Sequence, residues 1–499
     1  MKLPQSVYNW TSVIGGAIAL VSFFMFIFLF AISFFFDEGS SYLGLFIYII
    51  IPIFLFIGLI LIPIGMVVKI RRDKKKEKAG VLKMPYIDLN NTRHRNAFII
   101  FIISTTIFLF LTAIGSYEAF HYSESVEFCG TLCHKVMEPE YVAYQNSAHE
   151  RVACVECHVG SGADWYMRSK LSGLYQIYSV AFGKYPTPIP TPLENLRPAR
   201  ETCERCHWPE KFYARQLRVE KYFLADENNT EWDIILEVKT SSAYSAHGIQ
   251  EGIHWHIHPD VKIDYIRDTS DSEKIAWVQY TDLKTNETTV YQSEEEPLDP
   301  SLITTITKKT MDCIDCHSRP SHAYKSPSHF INNAFTAGKL PKDLPELKSI
   351  AMELLNTSYP TKDTAMLFIE KGIKEFYKSG YPDIFNKKKR LIEEVISTIQ
   401  TEFNKNIFPE MKVTWKAYPD HSSHIESNGC FRCHDGLHAS KNGKTISKDC
   451  NLCHTILGQG YPDSLQRVMI NESLEFKHPV DIDEAWKENL CTECHKELY

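Results

Sequence analysis

The chain has no spare cysteine. Its 499 residues include 14, and all of them fall in seven short pairs: Cys129/Cys133, Cys154/Cys157, Cys203/Cys206, Cys313/Cys316, Cys430/Cys433, Cys450/Cys453 and Cys491/Cys494. None is left for a disulfide, a separate zinc site or a nucleophile. No pair is followed by lysine, so C-x-x-C-K is absent. Residues 330–408 hold neither cysteine nor histidine. No small-residue cleavage site follows the first long apolar run, which predicts an uncleaved anchor. Acidic residues outnumber basic ones beyond the N-terminal part. Residues 1–117 carry a net +6 and residues 118–499 a net −13, for −7 overall. An acidic soluble part argues against nucleic acid as a partner. It leaves room for a basic one.

What stands after every pair is a histidine: His134, His158, His207, His317, His434, His454 and His495. A zinc knuckle or redox pair does not require it. In C-x-x-C-H the two thiols bond to one haem and the histidine ligates its iron. Seven such signatures predict seven c-type haems. The first, Cys129-Gly-Thr-Leu-Cys133-His134, carries one extra residue between its thiols. Haems supply much of the apolar interior of such a chain, so short elements and many loops are expected.

The N-terminal part predicts a three-helix membrane anchor over 1–117. Apolar runs at about 11–36, 42–70 and 97–117 are long enough to span a bilayer. A polar turn, Asp37–Ser41, separates the first two, and a basic stretch at 71–95 separates the second and third. Basic loops stay in the cytoplasm. Alternation then places everything after Tyr117 outside, where bacteria attach c-type haems. The expected fold class is a multihaem cytochrome c: three N-terminal transmembrane helices, then a mostly α/irregular periplasmic heptahaem domain with a small β insertion and a helical insert. Haems one to three occupy 118–207. A β-rich insertion spans 208–312, from alternation in EWDIILEVKTSS, KIDYIRD, KIAWVQYTD and ETTVYQSEE. Haem four lies in 313–329, a haem-free helical insert in 330–408, and haems five to seven in 409–499.

Low-spin haems need a second axial ligand from another loop. The candidates are His149, His322, His424 (with His421 as its rival), His438, His478 and one of the GIHWHIHP cluster. Period two in that cluster predicts a strand with His254, His256 and His258 on one face, His256 being the first choice and His254 and His258 its alternatives. A non-haem metal at this cluster is the rival reading. Six candidates would serve six haems if the first is special. Met137 lies three residues after His134 and shares its helical face. It could take the place of His134 on the near side or pack beside the porphyrin, leaving the far side open.

CHKVMEPEY, the following S-x-H, CVECHVG and SKLSG resemble the NapC/NirT family of membrane-anchored multihaem quinol dehydrogenases. That resemblance covers about 97–210. Three spans, seven motifs, CIDCHSRPSHAY and GCFRCHDGLH resemble the longer ImcH-type inner-membrane cytochromes. The resemblance implies a first haem at the membrane surface beside a quinol site, with Met137 as a ligand and Lys170 near the quinone. The acidic residue of the family falls at Gln176, which cannot accept a proton as a carboxylate does. The extra residue in the first motif also moves Met137 by one place.

The expected function is therefore quinol oxidation. A quinol from the membrane pool would dock near the first haem, between the third span and Trp165–Tyr178. Electrons would pass along the haems to a periplasmic cytochrome or other acceptor. The rivals are a terminal nitrite or hydroxylamine reductase, and an electron-relay subunit without its own quinol site. The oligomeric state is left open.

Overall fold

The computed structural model describes residues 5–35, 47, 50–76, 88–160, 163–191, 197–209, 212, 215–241, 252–268, 271, 273–469 and 472–498. The expected turn Asp37–Ser41 and the middle of the basic stretch lie outside them. The chain divides into two compact units. One is Met1–Glu138 with Ala153–Val155; the other is Pro139–Val152 with Glu156–Tyr499.

In the first unit, α1 (Trp10–Phe35) packs on α2 (Ile51–Lys76). Their approach is set by glycine. A Cβ on Gly58 would lie 2.6 Å from the Ala19 nitrogen, and one on Gly15 would lie 2.7 Å from the Gly58 carbonyl. Small residues let apolar helices close to backbone contact. A polar clasp sits nearby: the Ser12 hydroxyl donates to the Ile62 carbonyl at 2.8 Å.

Two helices, not the expected three, are long and apolar enough to cross a membrane among the described residues: 20 residues at Trp10–Leu29 and 23 at Ile51–Asp73. The third expected span is instead the middle of a 33-residue helix, α3 (Thr92–Glu124), started by Asn91 accepting from the Arg93 nitrogen. Its apolar stretch carries Ser104, Thr105, Thr112 and Ser116 and runs unbroken into charged turns at both ends.

The second unit begins within α4 (His134–Gln145) and includes α5 (Ala163–Ala181). Met167, Leu171, Leu174, Tyr175, Ile177 and Tyr178 of α5 are exposed. The strands over 215–310 form two antiparallel sheets, and both reach beyond the expected insertion. The first orders β1 (Arg215–Phe223), β2 (Glu231–Lys239), β8 (His454–Gly460) and β9 (Gln466–Arg467). The second orders β6 (Lys309–Thr310), β3 (Val261–Arg267), β4 (Ile275–Asp282), β5 (Thr288–Ser293) and β7 (His438–Ser440). Val238 opposite His454 and Ser293 opposite His438 stitch the middle of the chain to its C-terminal motifs.

The haem-free region forms the main apolar core. Helices α6 (Pro327–Thr336), α7 (Leu347–Asn356), α8 (Lys362–Gly380) and α9 (Lys389–Asn406) bury Ile331, Leu347, Ile369, Ile373, Ile399 and Phe403. Ser326 and Thr361 cap α6 and α8, and Pro327 sets the first turn of α6.

Candidate haem sites

Six of the seven motif histidines face a second imidazole. His158 faces His322 at 6.2 Å between ring centres, His207 faces His149 at 6.0 Å, and His317 faces His254 at 6.4 Å. His434 faces His256 at 5.8 Å, His454 faces His424 at 6.1 Å, and His495 faces His478 at 6.1 Å. A metal bonded to both rings needs about 2 Å on each side plus roughly 1 Å from each nitrogen to its ring centre, about 6 Å in all. The rings are thus too far apart to touch and correctly spaced to share an iron. His134, on exposed helical surface, has no such partner among the described residues. Met137 lies one turn along the same helix, partly buried.

The ring chemistry agrees. Burial pushes His158, His254, His256, His322, His424, His434 and His495 below the usual imidazole range, and His454 down to about 4. A neutral ring keeps the lone pair a metal requires. Backbone carbonyls orient many of them. His322 Nδ1 donates to Glu140 O at 3.0 Å, His256 to Ile253 O at 2.7 Å, and His434 to Ser447 O at 2.9 Å. His478 Nδ1 donates to Val480 O at 2.7 Å, His149 to Pro320 O at 3.3 Å, and His254 to Thr240 O. A protonated Nδ1 leaves Nε2 for the iron.

Two expectations about the histidines change. GIHWHIHP is not a strand but a 3₁₀ turn, Ile253–Ile257. Gly252 sits at φ +116°, where a Cβ would fall 2.5 Å from Ser241 O. That forced turn gives about 120° per residue, so alternate rings diverge. His254 and His256 therefore serve different partners, and His258 is buried 3.5 Å from Asp260. His438 is not a ligand candidate. It lies buried in β7, with Nδ1 2.9 Å from Asp435 and Nε2 2.7 Å from Ile275 O. Both ring nitrogens are used, and His254 takes the place expected for it. His421, the rival of His424, sits 3.1 Å from Glu273 and is pushed by burial to about 3.

The attachment cysteines differ in exposure. Ten of them are half-buried, but Cys157, Cys206, Cys450 and Cys494 are exposed. The reason is local. Motifs two and seven sit on short helices, Cys154–His158 and Cys491–Leu498, and motif three ends the helix Ala199–Cys203. In each, the first thiol is half-buried and the second, Cys157, Cys206 or Cys494, stands at the surface. A thiol that must bond to a vinyl group arriving from outside the chain has to be reachable. Exposure is therefore compatible with attachment.

The motifs adjoin in chain order. The Cys129 and Cys154 sulfurs are within hydrogen-bond reach, as are those of Cys203 and Cys313. Glu156 and Arg205 link motifs two and three at 3.4 Å. Arg432 of motif five donates to Asp315 O of motif four at 2.7 Å. Cys453 neighbours Cys430, and Cys491 neighbours Cys450. Motif four is held locally by a capping box, with Asp312 accepting from Cys313 N at 2.7 Å and Asp315 from Asp312 N at 2.6 Å.

Among the described residues no cluster of three or more His, Cys, Asp or Glu side chains could hold a bare metal ion. On α5, Lys170 is half-buried with its ammonium 5.1 Å from the Tyr166 ring centre. Gln176 is exposed and donates to the Ser172 hydroxyl at 3.4 Å.

Cysteine pairs followed by histidine, and rings spaced for iron, define a multihaem c-type cytochrome. Comparison with known proteins agrees. The model for the NapC/NirT cytochrome c family, N-terminal region, matches residues 91–197. The chain is 39% identical over 498 residues to the cytochrome c-type protein ImcH of Geobacter sulfurreducens, covering 99% of this chain and 96% of that protein. It is 29% identical over 115 residues to the cytochrome c-type protein NrfH of Wolinella succinogenes, 22% of this chain and 63% of that protein. No solved structure matches. The chain belongs to the NapC/NirT-related, ImcH-like family of c-type cytochromes, and membership implies covalently bound haem c and a role in electron transfer.

Proposed function

We propose that this chain is a seven-haem cytochrome anchored in the bacterial cytoplasmic membrane, which oxidises membrane quinol and delivers electrons to an acceptor on the outer side. The observation that carries it is an asymmetry: six motif histidines face a second imidazole and His134 does not. Each haem, when bound, supplies one-electron redox chemistry.

The protein groups divide the work. The paired imidazoles would hold six haems, one ring on each side, which suits transfer and excludes substrate. That argues against a nitrite-type reductase, which needs an open polar pocket. His134 and Met137, on one helical face, leave the opposite face free for a donor. Exposed apolar side chains on α3 (Phe98, Ile102, Phe110, Ile114) and on α5 suit lipid contact. In this reading the haem motifs stand on the outer side of the membrane. Lys170 orients the quinol oxygen. Gln176 offers no carboxylate, so the departing proton goes elsewhere.

Anaerobic mixing of the purified full-length protein with a quinol analogue tests this by absorbance. The expected result is haem reduction; no reduction, with nitrite turnover instead, overturns it. Gln176 favours one second reading, a relay subunit, which predicts reduction only after a quinol-oxidising partner is added.

A further inference from the structure

We propose that Glu140 and Arg319 are positioning residues for His322, and that they hold the second haem at a lower reduction potential than the sixth. The inference rests on the haem reading above.

His322 Nδ1 does more than donate to the Glu140 carbonyl. It also lies 3.3 Å from the Glu140 carboxylate. That carboxylate is pinned by Arg319, whose Nη2 reaches its two oxygens at 2.7 and 2.6 Å. Arg319 Nε donates back to the His322 carbonyl at 3.0 Å, so the three residues close a ring. The guanidinium stands 4.1 Å from the Tyr418 ring centre and 5.2 Å from that of Tyr324. The Arg319 and Glu140 side chains are only 11% and 17% exposed. Little water is present to screen the carboxylate.

A carboxylate at the far nitrogen of a ligating imidazole makes the ring a stronger donor, as in carboxylate–histidine–metal triads. A stronger donor favours ferric over ferrous iron and lowers the potential. The sixth pair has the opposite surroundings. Nδ1 of His424 and Nδ1 of His454 are both buried with no hydrogen-bond partner among the described residues. Both rings there are weaker donors, and the ferrous form gains. The second motif adjoins the first, and the sixth adjoins the last. The resulting step in potential runs from the N-terminal motifs towards the C-terminal ones.

The same short segment reaches further. Pro320 O accepts from His149, the ring opposite His207. Arg319 thus anchors the turn that serves two neighbouring haems.

The test uses the full-length haem-loaded protein in detergent, followed by potentiometric titration with electron paramagnetic resonance. Ring planes meet at 48° in the second pair and 20° in the sixth, so their low-spin ferric signals differ in shape. In the wild type the second is expected to reduce at lower potential than the sixth; the reverse order overturns the proposal. Glu140→Gln keeps an acceptor for Arg319 but removes the charge. It is expected to shift one of seven components upward with ligation unchanged, and Glu140→Asp to restore part of the shift. An unshifted Glu140→Gln titration in a low-spin second haem defeats the tuning alone. A wild-type second haem that is not low-spin defeats the haem reading and this proposal with it.

Discussion

At the scale of the residue, the informative histidines are those whose second nitrogen is accounted for. His438 and His424 look alike in the sequence, each a few residues from a motif. In the fold, His438 spends both ring nitrogens on Asp435 and Ile275, whereas His424 turns its ring to His454. Replacing His424 by alanine is therefore expected to turn one further haem high-spin. His438→Gln should leave the spin states as in the wild type while lowering stability by about 1–3 kcal/mol, the cost of disturbing a buried hydrogen-bonded group. Near-infrared magnetic circular dichroism reads the spin states and thermal melting the stability.

Lys348 gives a pH test at the same scale. It is buried in α7, with its ammonium 2.9 Å from Asn332 Oδ1, and burial lowers it to about 8. In the unfolded chain a lysine titrates near 10.4. Below pH 8 both states bind the proton and the folded state bears the full penalty, about 3 kcal/mol. Between pH 8 and about 10.4 the unfolded state binds more protons, so this residue makes stability rise with pH. Lys348→Met should remove that rise, whatever its stability at neutral pH. Melting temperatures at pH 7 and 9.5, wild type against variant, decide it; parallel slopes refute the assignment.

Elements differ in how plainly the sequence announces them. The apolar period of 347–406 reads directly as helices, because each packs one face on a core made by its neighbours: Leu347, Ile369, Ile373, Ile399 and Phe403. The strands at 231–293 are legible by alternation. Their partners β7 and β8, and β9 beside β8, are not, since runs of three, seven and two residues carry too little period of their own. GIHWHIHP misleads because its period-two spacing fits a strand, whereas the positive φ of Gly252 starts a 3₁₀ turn with three residues per turn. The outer placement of the haem motifs has its own test. A phosphatase active only outside the cytoplasm, fused after Glu124, should be active, and fused after Lys76 it should be silent. Silence after Glu124 would refute the outer placement.

At the scale of the molecule, the cysteine–histidine spacing identified the cofactor chemistry before any fold was known, because covalent attachment is a local event. How deeply each thiol sits was not legible, since the exposure of Cys157, Cys206 and Cys494 depends on where the short helices of their motifs lie on the surface. Pairing of the rings was only partly legible. It depends on which loops the two sheets bring together, as when the 454–460 strand joins β2. Of the six partner rings, His149, His256, His322, His424 and His478 could be picked by their polar surroundings. His254 stood only as an alternative to its neighbour two places on, because the strand reading let the cluster serve one haem.

That neighbourhood has a mechanical side. His254 and His256 hang from one tight turn, itself wedged against the end of β2 by Gly252. Two rings spaced for two different irons therefore share one bracket. Loss of Gly252 would displace both at once, so a single substitution there should disturb two centres together.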